Sequence, residues 1–146
     1  MAVRVKLKIK ALKGETSREL LSSVLVNSAF ESDTPEIILP LALASSLGLY
    51  PKLPEGTTVE RYEVAGGGSL DSYLIRDGVE VQVVTEDRVS DPTIINCAII
   101  SGEKEVLMSD KLISKCAIVI KDAGEGIWYF GDESIKRRSE PPQYWE

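Results

Sequence analysis

Asn27 and Ser28 stand at the end of an apolar run, Val24-Leu25-Val26, and are followed by Ala29 and Phe30. Consecutive apolar residues suit a strand buried on both faces. Such a strand would deliver a small polar pair to one fixed point. An amide there can donate and accept hydrogen bonds, but it takes up no proton near neutral pH. Ser28 would need a base to act as a nucleophile. The chain contains no histidine, which excludes Ser-His and Cys-His pairs and histidine-based zinc sites, and no lysine partner can be identified by spacing. Three acids follow closely, Glu31, Asp33 and Glu36, with Asp71 and Asp110 further along. They read either as a rim of carboxylates beside a site or as a solvated loop.

The elements that must position these residues are mostly strands. Residues 3–10 alternate strictly, with Val3, Val5, Leu7 and Ile9 on one face and Arg4, Lys6, Lys8 and Lys10 on the other, the period of a half-buried strand. The basic row reads as a solvated face whose lysines also discourage edge pairing. Residues 22–28 form the second strand and 37–39 a short third. Pro40 opens a helix of about two turns that ends at Gly48. Residues 59–65 and 70–76 read as strands around the turn Gly66-Gly67-Gly68. Asp77-Gly78 is a hairpin signal leading to another strand over 79–85. A polar loop over 86–92 precedes an apolar strand over 93–101. Val106-Leu107 then leads into a short helix at 109–115 and strands at 117–121 and 127–130. Residues 131–146 are too polar for a core. Their Tyr144-Trp145 pair implies docking on this domain or on another subunit, and Lys136-Arg137-Arg138 reads as a solvated stretch.

Placed in order, these pieces resemble the retropepsin-like aspartic proteases. In that family a strand ends in Leu-Val-Asp-Thr/Ser-Gly-Ala, a Leu-Pro…Leu-Ala…Leu-Gly-Leu stretch follows, and a second motif reads Leu-Leu-Gly-Met-Asp-x-Leu. Here the counterparts are Leu25-Val26-Asn27-Ser28-Ala29, Leu39-Pro40…Leu43-Ala44…Leu47-Gly48-Leu49 and Val106-Leu107-Met108-Ser109-Asp110-Lys111-Leu112. The resemblance runs from the first strand to Phe130. It implies a mainly β fold, a closed barrel with one or two short helices, and a homodimer with its site on the two-fold axis. It also makes Gly66, Gly67 and Gly68 the tip of a flap over a bound peptide, with a plain flexible hairpin as the alternative. Asp110 matches an acidic position with a structural role, and the Ser28 hydroxyl matches one that bonds across the dimer.

The departures fall on the chemistry. Asn27 occupies the catalytic Asp position, Ala29 the following Gly position and Met108 the Gly of the second motif. Aspartic proteases work through two carboxylates sharing a proton, and two Asn27 side chains lack the general base. The expectation is therefore a pseudoprotease with no catalytic residue at Asn27, Ser28 or Ala29. It would bind a peptide through Asn27, Ala29, Phe30, Gly66, Gly67, Gly68 and Met108. The alternatives are an aspartic-type peptidase with altered groups, drawn from Glu31, Asp33, Asp71, Asp110 or Ser28, and a structural dimerisation subunit.

Length and composition agree with one globular domain over 1–130 and a polar tail over 131–146. The 146 residues are 43% apolar and 27% charged, ordinary for such a chain. A net charge of −6 argues against a nucleic-acid partner. The first ten residues lack a signal peptide's apolar segment, and no run approaches the ~20 apolar residues of a membrane span. A cytoplasmic protein is expected, with no membrane partner, cofactor or metal. Cys97 and Cys116 read as two buried free thiols, with a disulfide as the alternative in an oxidising compartment or a hyperthermophile cytosol.

Asn27-Ser28 is also a step at which a small following residue eases deamidation. Aged protein is expected to accumulate Asp or isoAsp at position 27. Peptide mapping that recovers only Asn after prolonged incubation rejects this.

Overall fold

The computed structural model describes residues 2–14, 17–63 and 66–146, with no account of the Tyr62 and Glu63 side chains. Strand β1 (Arg4–Ala11) shows the alternation read from its sequence: Val5, Leu7, Ile9 and Ala11 point into the core, while Arg4, Lys6, Lys8 and Lys10 are half-buried on the other side. β1 is not an edge. It pairs antiparallel with β2 (Glu19–Val26) on one side and with the second half of β5 (Ser69–Val84) on the other. Its basic row therefore has no edge to protect. Arg4 is paired with Glu105 and Lys8 with Glu19.

That double pairing closes the barrel. Around it run β1, β2, β7 (Val106–Met108), β3 (Glu36–Leu39), β6 (Thr93–Ile100) and β5, which returns to β1. β4 (Thr58–Glu63) pairs with the first half of β5 and forms the outer edge of this sheet. β2 and β7 run parallel, with Val26 opposite Met108, and β7 meets β3 antiparallel, with Met108 opposite Ile37. The inward faces build one apolar core, with Leu39, Leu43, Leu47, Ile99 and Leu112 fully buried.

Asp77-Gly78 does not make the hairpin expected from its sequence. β5 is one strand of 16 residues through this point. From Ile75 to Val79 it advances four residues while its partner β6 advances two, from Cys97 to Ile95, so the dipeptide forms a bulge. Asp77 takes the left-handed φ of 49° that the pattern favours, and its N–H donates to the Asn96 side chain at 2.9 Å. The chain bends without reversing because both halves of β5 find their partner on the same strand, β6. Residues 64 and 65, which the sequence assigned to the strand before the glycines, lie outside the described residues.

Two short helices cap the barrel. α1 (Leu41–Ser46) follows Pro40, which serves as its N-cap, and α2 (Asp110–Lys115) follows Ser109. A three-stranded sheet of β8 (Ile118–Asp122), β9 (Ile127–Phe130) and β10 (Arg137–Arg138) lies beyond them. Arg137 is not a solvated residue. It bonds Asp87 and Glu133, and its guanidinium lies 5.3 Å from the centre of the Phe130 ring.

The residues after β10 run back over the same chain. β2 pairs with β7 only through Val24–Val26, which leaves the backbone of Ser22 and Ser23 open on that side. Pro141 and Gln143 accept hydrogen bonds from the Ser23 hydroxyl and N–H, at 2.9 and 3.0 Å, and the Trp145 indole N–H donates to the Ser22 hydroxyl at 2.9 Å. Both cysteines are free. Burial pushes the Cys97 thiol up to about 12 and the Cys116 thiol up to about 11, so neither is a ready nucleophile.

The bulge generates a stability prediction. A Cβ at Gly78 would lie 2.8 Å from both Cys97 Sγ and Ile75 Cγ2. Gly78→Ala is expected to lower the urea midpoint by the equivalent of about 1–3 kcal/mol, the usual cost of overpacking. An unchanged midpoint would show that the bulge relaxes freely.

Candidate functional site

Asn27 follows the last residue of β2 and turns the chain. Its side-chain oxygen accepts from the Ala29 N–H at 3.1 Å, and its carbonyl accepts from the Phe30 N–H at 3.1 Å. This is an Asx-type turn, in which the side chain stands in for a backbone acceptor. Asn27 is half-buried, while Ser28 and Ala29 are exposed.

The loop that follows is held by the start of α2. The Phe30 carbonyl accepts from the Asp110 N–H at 2.8 Å. The Asp110 carboxylate accepts from the N–H groups of Ser32 and Lys111 at 3.1 and 2.7 Å. These bonds give Asp110 a structural role, and an acid in the first turn also suits the helix dipole. Ser109, fully buried, caps the helix by accepting from Leu112 N–H at 3.2 Å, and the same hydroxyl accepts from Glu36 N–H at 3.0 Å. Ser109 N–H donates in turn to the Glu36 carbonyl at 3.0 Å. Val26 and Ile37 both lie opposite Met108, so the ends of β2 and β7, followed by Asn27 and Ser109, and the start of β3 at Glu36 fall at one corner.

Beside this corner is a cleft of about 310 Å³ on the outer face of the β3–β6–β5–β4 sheet. Phe30 and Glu60 of β4 belong to its lining. Glu36 and Ile38 supply one wall; Ser72 and Leu74 of β5 and Ala98 and Ile100 of β6 form the floor. A larger concavity of about 700 Å³ lies at the turn after β1 and the loop after Tyr50, and Asn27 does not line it.

The predicted site residues do not all converge. Phe30 lines the cleft, and Asn27 and Ala29 lie on the turn that leads to it. Gly66, Gly67 and Gly68 are exposed between β4 and β5, with φ of 97° and 88° at the first two. That backbone conformation favours glycine. Met108 is a correction. It is fully buried, because its alternation on β7 turns the side chain into the barrel core, so it does not line the cleft.

Glu36 stands among the acids that the sequence offers as a rim beside a site, and Glu60 was not named. Glu36 was grouped with the loop acids, and the apolar Ile37-Ile38-Leu39 gives no hint of which residue faces out. The signal was the period of two from Glu36 to Ile38. Burial raises the Glu36 carboxyl above its ordinary value, and the charge of Asp33 adds to this; a hydrogen bond with Asn96 and the charge of Arg76 act the other way. Of the other candidate acids, Asp71 is paired with Arg61 at 2.9 Å, and Glu31 and Asp33 are exposed.

The raised Glu36 carboxyl has a signed consequence. An acid held above its unfolded value favours the folded state when protonated and opposes it when ionised. Glu36→Gln is therefore expected to stabilise the protein at neutral pH, and the gain is expected to vanish as pH falls below the ordinary value of 4.5. Thermal melts across this range check it. A gain that persists unchanged in acid contradicts the assignment.

No family model matches the sequence, and no curated protein matches it. Among solved structures the chain is similar to the retroviral protease-like domain of Ddi1 from Leishmania major, with a TM-score of 0.53 and 13% identity, covering 97% of each chain. With the closed barrel described above, this similarity establishes a retropepsin-like fold for this chain.

Proposed function

We propose that this protein is a pseudoprotease: a retropepsin-like domain that forms a two-fold homodimer and binds an extended peptide or partner segment without cutting it. The observation that carries the reading is Asn27. By the motif resemblance it matches the position of the family's catalytic Asp, and its side-chain oxygen accepts from the Ala29 N–H. A shared-proton dyad needs two groups that titrate, and an amide supplies none. Asp110, the nearest acid by motif, is engaged with backbone N–H groups. Neither thiol has the lowered pKa of a nucleophile.

Two features favour binding. The cleft beside Asn27 is mostly apolar with a few polar groups, the usual make-up of a ligand site. β4 pairs only with β5 among the described residues, so its outer edge offers N–H and C=O groups to an added strand.

The test is a peptide-library cleavage assay on fresh, mass-verified protein, from acid to neutral pH, beside Asn27→Asp. The native protein is expected to cut nothing. If the variant regains activity, its rate should exceed any native rate by a factor of at least about 10², the size of an acid–base contribution. Native cleavage that survives repurification would make the protein an enzyme and overturn the reading. Sedimentation of the native protein measures the dimer separately.

A further inference from the structure

The cleft carries a chemical preference of its own. Its apolar surface comes from Phe30, Ile38, Leu74, Ala98 and Ile100, while Glu36 and Glu60 bring carboxylates to it from β3 and β4. Asp33 adds negative charge close enough to act on Glu36. Arg76 is the cation that offsets Glu36, and it is exposed and outside the lining. The Glu36 backbone is held at both its N–H and its carbonyl by Ser109, so the point from which this side chain reaches the cleft is fixed before any ligand arrives.

We infer that this cleft selects a peptide bearing one long basic side chain, arginine or lysine, between apolar neighbours. The inference rests on the peptide-binding reading above and names the ligand class for that site. Three physical arguments lead to it. A cationic side chain with a long aliphatic stem lays that stem on apolar surface and keeps its charge at the polar rim. A partly desolvated carboxylate gains most from a charged donor. At about 310 Å³, the cleft is at the small end of ligand sites and suits one or two side chains. The two glutamates do not make a metal site: among the described residues no three carboxylates or thiols group as ligands would, and hard divalent cations take more oxygen donors than two side chains supply.

The experiment is selection of a random linear peptide library, displayed on phage, against the native full-length protein. A synthetic peptide of the winning sequence is then titrated against native protein, Glu36→Gln and Glu60→Gln. Enrichment of Arg or Lys at one position with apolar neighbours is expected. Replacing that residue by norleucine should weaken binding by roughly tenfold or more, the range of a charge-assisted hydrogen bond. Each glutamine variant should weaken the basic peptide in the same way and leave the norleucine peptide unchanged, a coupling that general damage to the fold would not produce. Winners without a basic preference, or equal binding of the norleucine peptide, would overturn this inference and leave peptide binding standing. No enrichment from any pool would overturn both.

Discussion

The buried hydroxyl of Ser109 ties the site together. One oxygen accepts from the N–H of Leu112, in the first turn of α2, and from the N–H of Glu36, which starts β3. Each of those donors would otherwise be an unsatisfied buried group, which costs more than the net gain of an ordinary hydrogen bond. The neighbouring Asp110 extends the same junction to the loop after β2 through Phe30 and Ser32. Three elements distant in sequence are thereby fixed at one corner, and Asn27 opens the loop that is held there. The position of the site follows from this hydrogen-bond set as much as from the core beneath it.

The barrel supplies the rigid frame for that corner. Its closure depends on β5, whose first half serves the β4 arm and whose second half returns to β1. The bulge at Asp77-Gly78 allows one strand to do both, since extra residues on one side of a ladder bend and twist it. The arm thus extends the sheet beyond β6, and the cleft is lined by residues of the arm, β6, β3 and Phe30. The C-terminal residues close the open side of β2 through backbone and indole hydrogen bonds. Polar composition marked this segment as surface, and the same polar groups give it its docking contacts.

Much of this was legible in the sequence, for reasons that are local. The strict alternation of β1 defines its two faces because side chains in a strand alternate with period two. The apolar run ending at Asn27, and the Pro40 and Gly48 at the ends of the first helix, follow from equally short-range rules. Asp77-Gly78 was misread because a left-handed residue followed by glycine serves a hairpin and a bulge alike, and only the partner strand distinguishes them. Met108 was misplaced because its motif position says nothing of which way its side chain points.

What the sequence alone determined is the two faces of β1, the ends of the first helix and the resemblance to a protease framework, in which Asn27 matches the position of the catalytic Asp. Those are properties of residue type and neighbour spacing. Tertiary structure decided that β5 is one strand, that Ser109 joins β3 to α2, and that Glu36 and Glu60 meet across a single cleft. These depend on which distant backbone groups pair, because a hydrogen-bond register between strands is set by the closed barrel as a whole and not by any one segment.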